Sequence, residues 1–164
     1  MVKQTIDECC NQFLTDATLK NGMADLLSFF KELKMKPSWY HANSYKCDYK
    51  GKRVIMINFS KMGVENWVRL RVITTGDCYE DNGKLDIFLQ NLPIEMQNEY
   101  MAHLRYCKNC TTCTPGHDLE LFGEPYKNVC EKSFAYYIDN PTPEQFEFVK
   151  KFVIARREYI INFI

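Results

Sequence analysis

The chain has 164 residues, of which 46% are hydrophobic, 26% charged and 14% aromatic, and its 21 basic residues balance its 21 acidic residues. This length suits one domain with its own hydrophobic core, and the composition excludes a disordered or collagen-like chain. A formal net charge of zero gives no long-range attraction to nucleic-acid phosphates or to anionic lipid, so we expect neither nucleic acid nor membrane as a partner.

Two helices and three strands are predicted for the first half of the chain. Thr5 and Glu8 form the capping box of a helix that runs to about Leu14. A second helix is predicted for residues 23–34, and strands are predicted for residues 38–49, 53–59 and 67–75. Short links between successive strands are typical of an antiparallel meander.

Three helices and two strands are predicted for the second half. One helix covers residues 84–91, and the next begins at Pro93 and continues through Leu104 into a cysteine-rich segment. Strands are predicted for residues 119–122 and 133–138, and the closing helix begins after the cap Thr142. The order of elements predicts an α+β fold with helices on one face of an antiparallel sheet. We expect one domain of residues 1–164 with a metal-binding segment at 106–130.

The N-terminal residues lack the apolar region of a signal peptide, and no apolar run approaches the length of about 18 residues that a membrane span needs. We therefore expect a cytoplasmic protein. In that reducing compartment, the eight cysteines point to metal binding or redox chemistry before disulfides.

Four cysteines have a spacing typical of a metal site. Three stand at intervals of three residues and the fourth follows at a distance, namely Cys107, Cys110, Cys113 and Cys130. Two intervening residues let neighbouring thiolates converge on one ion while the backbone turns between them. Because Zn²⁺ prefers four tetrahedral ligands, the sequence predicts one structural zinc ion bound by these four thiolates.

Three alternatives to this site stay open. His117 would replace Cys130 in a Cys3His site. An iron–sulfur cluster would use the same cysteines, although the fourth cysteine of the bacterial ferredoxin pattern is absent after Cys113. The third alternative is that the four cysteines bind no metal ion and either stay free thiols or form disulfides.

Aromatic and basic side chains alternate on the third predicted strand. Trp67, Arg69 and Arg71 occupy one face of it, and Trp39 and Tyr45 lie on the first predicted strand. If the strands pair, these residues form a shallow site for a small anionic or planar ligand. The alternative is a solvated sheet face with the aromatic residues in the core.

Known catalytic motifs are absent: the sequence has no G-x-S-x-G, H-E-x-x-H, P-loop or G-x-G-x-x-G. We therefore expect a zinc-binding module for a small ligand or a protein partner rather than an enzyme. An iron–sulfur or thiol redox protein is the alternative function.

Two resemblances accompany these predictions. The stretch from Leu33 to Tyr40, Ala42-Asn43-Ser44 and the stretch from Tyr49 to Val54 resemble the front half of the YdhG-like family. That family comprises small bacterial α+β proteins with a frataxin-like layout, and the cysteine-rich part here is similar to a subset of it from anaerobic Firmicutes. The resemblance implies a frataxin-like fold and a ligand-binding role. The cysteine spacing also resembles the structural zinc lobe of medium-chain alcohol dehydrogenases, which implies the coordination chemistry alone.

Overall fold

The structure is a computed structural model that describes the backbone of residues 3–62, 65–73, 85–108 and 117–163. These residues form five helices and seven strands, which confirms an α+β fold. In chain order the elements are α1 (Ile6–Phe13), α2 (Ala17–Glu32), β1 (Ser38–His41), β2 (Ser44–Tyr49), β3 (Lys52–Met62), β4 (Glu65–Ile73), α3 (Leu85–Gln90), α4 (Ile94–Ala102), β5 (Leu104–Lys108), β6 (His117–Leu121), β7 (Glu124–Asp139) and α5 (Pro143–Phe163).

All seven strands belong to one antiparallel sheet. Its strand order is β1-β2-β3-β4-β7-β5, and β6 pairs with the first half of β7. The predicted meander is confirmed for β2, β3 and β4. The strand predicted for residues 38–49 is two strands, because the chain turns at Ala42 with a positive φ of 42°.

One face of the sheet forms the core. The register sets Ile55 beside Val72 and Ile57 beside Leu70, and Tyr136 and Ile138 continue this face on β7. These six side chains are all buried. Since successive residues of a strand point to opposite faces, the residues between them lie on the second face, which is half-exposed.

The helices pack on the core face. The ring of Phe152 on α5 lies 4.6 Å from that of Tyr136, and Phe13 on α1 stacks on Phe59 at 6.1 Å. Helix α2 packs on α5 where Gly22 meets Phe146, and a Cβ at Gly22 would overlap the Phe146 ring. The missing side chain therefore sets the distance between these two helices. Within the described ranges, no helix is long and apolar enough to cross a membrane.

The region around the cysteine-rich segment differs from prediction. The helix predicted to continue through Leu104 ends at Ala102, and β5 begins at Leu104. The strand predicted for residues 133–138 is the second half of β7, which is 16 residues long. The reason is non-local, because the backbone groups of β5 and β6 find their hydrogen-bond partners in β7.

Candidate functional site

Polar and aromatic side chains meet on the half-exposed face of the sheet. Arg69 on β4 is the register partner of Asp139 on β7, and Arg71 is the partner of Tyr137. Arg105 reaches the same part of β7 from β5, on the other side. We call this group the arginine face; it consists of Trp67, Arg69, Arg71, Arg105, Tyr137 and Asp139.

One carboxylate serves two of the guanidinium groups. Nε and Nη2 of Arg69 donate to Asp139 at 2.6 and 2.9 Å, and Nη2 of Arg105 donates to Oδ2 at 3.1 Å. The hydrogen bond from Arg69, together with the charges of both arginines, lowers the pKa of Asp139. Asp139 is thus ionised at neutral pH, and Arg69 and Arg105 share its one negative charge.

Aromatic rings hold the three guanidinium groups. The Cζ atom of Arg69 lies 4.7 Å from the centre of the Trp67 ring. Those of Arg71 and Arg105 lie 5.1 and 5.5 Å from the centre of the Tyr137 ring. A guanidinium group stacked on a ring keeps its in-plane N–H donors available and has less side-chain entropy left to lose on binding.

Arg71 differs from the other two arginines because it has no carboxylate partner among the described residues. Its Nε is buried without a hydrogen-bond partner, and so is Nε1 of Trp67 on the same strand. A buried donor without a partner costs about 1–3 kcal/mol. The Nε of Arg157 is in the same condition on α5, stacked on Tyr49. What distinguishes the arginine face is that it carries three guanidinium groups and one carboxylate, which Arg69 and Arg105 share.

The residues predicted to form one ligand site lie on opposite faces of the sheet. Trp67, Arg69 and Arg71 lie together as predicted, but Tyr45 pairs with Ile57 and is 3% exposed on the core face. Its hydroxyl donates to the Gln4 carbonyl at 2.7 Å, and burial raises the pKa of Tyr45. Tyr45 is therefore a core residue and not a ligand contact.

Trp39 lies apart from the arginine face as well. It is the register partner of Tyr45, so it occupies an edge position on the side of the sheet that faces the helices. Its Nε1 donates to the Ala42 carbonyl at 2.9 Å, which closes the turn between β1 and β2. Trp39 and Trp67 do not share one site.

The cysteine segment is described at its two ends. Cys107 on β5 and Cys130 on β7 are Cα partners. Lys108 and His117, which bound residues 109–116, are both Cα partners of Val129, one from each edge of β7. The segment that carries Cys110 and Cys113 thus begins and ends next to Cys130, while these two cysteines lie outside the described residues.

His117 is the first residue of β6 rather than part of a turn. Its Cα partner is Val129, which precedes Cys130 in the chain. The backbones of His117 and Cys130, the two candidates for the fourth ligand, therefore lie close together. Among the side chains that the structure describes, no group of three or more His, Cys, Asp or Glu could hold a metal ion.

Three other cysteines behave as small apolar residues. Cys9, Cys10 and Cys47 are free, and Cys9 and Cys47 are fully buried. Burial raises the pKa of Cys10 and of Cys47 to about 12. Both thiols are therefore protonated at neutral pH and are weak nucleophiles and metal ligands.

Comparison of the chain with protein-family models, curated proteins and solved structures finds no match. The resemblance to the YdhG-like family stays a prediction.

Three residues of the arginine face were not predicted from the sequence. Tyr137 and Asp139 belong to an alternating run, since Phe134, Tyr136 and Ile138 are buried and the residues between them face the other way. That alternation was visible in the sequence. Arg105 carried no comparable signal, because its strand was predicted as the end of a helix.

A cavity of about 530 Å³ lies on the helical side of the molecule. Its lining includes residues of α3, α4 and α5, and Phe88, Leu92 and Met96 are among the apolar ones. Glu95 and Lys151 at its rim bind each other at 2.7 Å. Glu158 is the third charged residue of its lining, so the cavity has no excess of positive charge, unlike the arginine face.

Proposed function

We propose that this protein is a small-ligand-binding module that binds an anion on the arginine face, with a structural zinc site in the cysteine segment. The observation that supports the anion site is the presence on one sheet face of three guanidinium groups beside aromatic rings, with a single carboxylate that Arg69 and Arg105 share. Hydrogen bonds between guanidinium groups and oxyanions are charge-assisted and roughly twice as strong as neutral ones. The three guanidinium groups carry more positive charge than this one carboxylate offsets, which favours an added negative group.

Binding fits the arginine face better than acid–base chemistry does. Both oxygens of Asp139 accept hydrogen bonds, and its pKa is lowered chiefly by the bond from Arg69. Such a carboxylate is a weak base near neutral pH. The arginines stay protonated under all ordinary conditions, so they supply fixed positive charge.

Calorimetric titration at constant ionic strength, with acetate, benzoate, phosphate and sulfate as probes, tests the anion site. Arg71→Ala should weaken binding of the best probe about tenfold, because it removes a charge-assisted pair. The matched control is Arg53→Ala, since Arg53 also stacks on a ring, that of Tyr40, but is paired with Asp48. Absence of binding by every probe, or equal losses in both variants, would contradict the anion site.

The zinc part of the proposal is supported by the register of β5 and β7. Residues opposite each other in an antiparallel pair have Cα atoms about 4.5–5.5 Å apart, and Cys107 and Cys130 are such a pair. Cys110 and Cys113 follow Lys108 in the segment that returns to the same place at His117. Four thiolates would fill the coordination shell of zinc, which makes the site structural rather than catalytic.

Elemental analysis of anaerobically purified protein, with its absorbance spectrum, tests the zinc site. We expect one zinc per chain and no visible band, and loss of zinc in Cys107→Ser and Cys130→Ser but not in the control Cys10→Ala. Iron with sulfide would support the redox alternative. Protein without any metal would contradict the metal site and leave the anion proposal standing.

A further inference from the structure

The arginine face contains two successive pairs of the same geometry, filled differently. Arg69 and Asp139 are register partners, and Arg71 and Tyr137 are the next partners on the same face. In the first pair, the Asp139 carboxylate accepts two hydrogen bonds from one guanidinium group. In the second pair, the residue opposite Arg71 has no carboxylate, and Nε of Arg71 is buried with no hydrogen-bond partner in the described part of the chain.

Arg105 links the two pairs. It donates one hydrogen bond to Asp139 from Nη2, and its guanidinium group also lies against the Tyr137 ring. Its side chain is 52% exposed, so its other donors remain accessible from solvent. Arg71 on β4 and Arg105 on β5 thus approach Tyr137 from the two strands that flank β7.

We propose that the ligand of the arginine face is a carboxylate, bound by Arg71 and Arg105 beside the Tyr137 ring, as Asp139 is bound by Arg69 and Arg105. This inference rests on the proposed function and adds the chemical class of the ligand. The carboxylate accepts two parallel hydrogen bonds from Nη1 and Nη2 of Arg71, because Nε is buried and a ligand from solvent does not reach it.

The geometry favours a planar carboxylate over a tetrahedral anion. The two in-plane donors of a guanidinium group match the two oxygens of a carboxylate. The Tyr137 ring, whose centre lies 5.1 Å from Cζ of Arg71, limits the positions open to this guanidinium group and to a bidentate partner. Phosphate or sulfate can share the charge but has further oxygens outside that plane.

Calorimetry with benzoate and with sulfate, at one pH and ionic strength, tests the ligand class. The variant Arg71→Lys keeps the positive charge and removes the planar pair of donors. We expect it to weaken benzoate binding about tenfold and sulfate binding only about twofold, because lysine acts as a point charge. Equal losses for the two anions would overturn the carboxylate assignment.

A second variant places a carboxylate of the protein itself in the proposed site. Tyr137→Asp places a carboxylate opposite Arg71, as Asp139 stands opposite Arg69, and should abolish benzoate binding. The control Tyr137→Asn has nearly the same shape as Tyr137→Asp and removes the same ring without adding a charge, so it should weaken benzoate binding less than Tyr137→Asp does. Thermal unfolding of both variants verifies that they fold. Unchanged benzoate binding by a folded Tyr137→Asp variant would overturn the inference, whereas failure of wild-type protein to bind any anion would also overturn the proposed function.

Discussion

Arg69 and Asp139 stand 70 residues apart in the chain and form a bidentate pair across β4 and β7, with bonds of 2.6 and 2.9 Å. The pair joins the meander to the long strand that follows the cysteine segment. Asp139 is also the only carboxylate of the arginine face, so its pairing with Arg69 limits how much of the positive charge on this face it offsets.

Stability at acid pH should depend on this pair. The hydrogen bond from Arg69 lowers the pKa of Asp139 in the folded state. The resulting stabilisation is complete above the unfolded pKa of about 3.9 and is lost as pH falls through the folded value. Because the Asp139 side chain is 35% exposed, we expect a loss of only about 1 kcal/mol in Asp139→Asn.

Urea unfolding between about pH 2 and pH 6 measures this dependence. Asp139→Asn should flatten it, while Glu32→Gln, at the exposed end of α2, should leave it unchanged. The same Asp139→Asn variant should bind anions more tightly than wild type, because Arg69 and Arg105 lose their competing carboxylate. An unchanged pH dependence would contradict the account of the pair.

Gly22→Ala should destabilise the protein although it improves helix propensity. The new methyl group would overlap the Phe146 ring. Overpacking costs about 1–3 kcal/mol, which outweighs the gain of about 1 kcal/mol that alanine brings to a helix. Chemical unfolding should show a lower free energy of unfolding for Gly22→Ala, with partial recovery when Phe146→Leu is added. The control Asn21→Ala, exposed on the same helix, should be neutral or stabilising.

Stability should also fall at alkaline pH. The Tyr136 hydroxyl donates to Glu99 at 2.7 Å, and burial, followed by this bond, raises the pKa of Tyr136. The sign follows from the direction of the shift: the contribution is complete below the unfolded pKa of about 10 and is lost as pH rises above it. Unfolding at increasing pH should therefore show a falling free energy.

Tyr136→Phe isolates this contribution. It should cost about 1 kcal/mol at neutral pH through the lost hydrogen bond and should reduce the alkaline slope. Some slope should remain, because burial raises the pKa of Cys47 to about 12 and that of Tyr45 as well. A slope identical to that of wild type would show that Tyr136 ionises equally easily in both states.

The start of α2 gives a further prediction. The Asp16 side chain accepts a hydrogen bond from the Leu19 amide at 2.9 Å, which caps the helix at its first turn. Asp16→Ala should lower the free energy of unfolding by about 1 kcal/mol. Asp7→Ala, exposed inside the first turn of α1, is the matched control, because it removes an acidic side chain without removing a cap.

Helix caps and hydrophobic alternation in the sequence predicted the elements whose conformation depends mainly on neighbouring residues. The capping box of Thr142 and Gln145 marks the start of α5, with bonds of 2.9 and 3.3 Å, as the sequence indicated. The helix predicted for residues 23–34 begins six residues earlier, because Asp16 caps a first turn that has few apolar residues. Strands β2, β3 and β4 were predicted from alternation alone.

Non-local pairing accounts for the rest. Strand β5 has a sequence compatible with a helix, and its pairing with β7 decides its conformation. The same holds for the site: Arg69 and Arg71 were found by alternation, whereas the position of Tyr45 depends on its register with Ile57. A shift of one residue in register exchanges the two faces of a strand. The sequence of one strand therefore does not reveal which of its faces meets the helices.

The most direct test of the anion site observes the arginine side chains themselves. A two-dimensional ¹H–¹⁵N spectrum resolves the Nε–H groups, and single arginine substitutions assign them. On titration with benzoate at constant ionic strength, we expect the Nε–H signal of Arg71 to shift and saturate, with a smaller shift for Arg105 and none for Arg53, which Asp48 already binds. Saturation at Arg71 would support the arginine face as the binding site; if no arginine signal moved, or if all moved in proportion to added anion, the central claim would be contradicted.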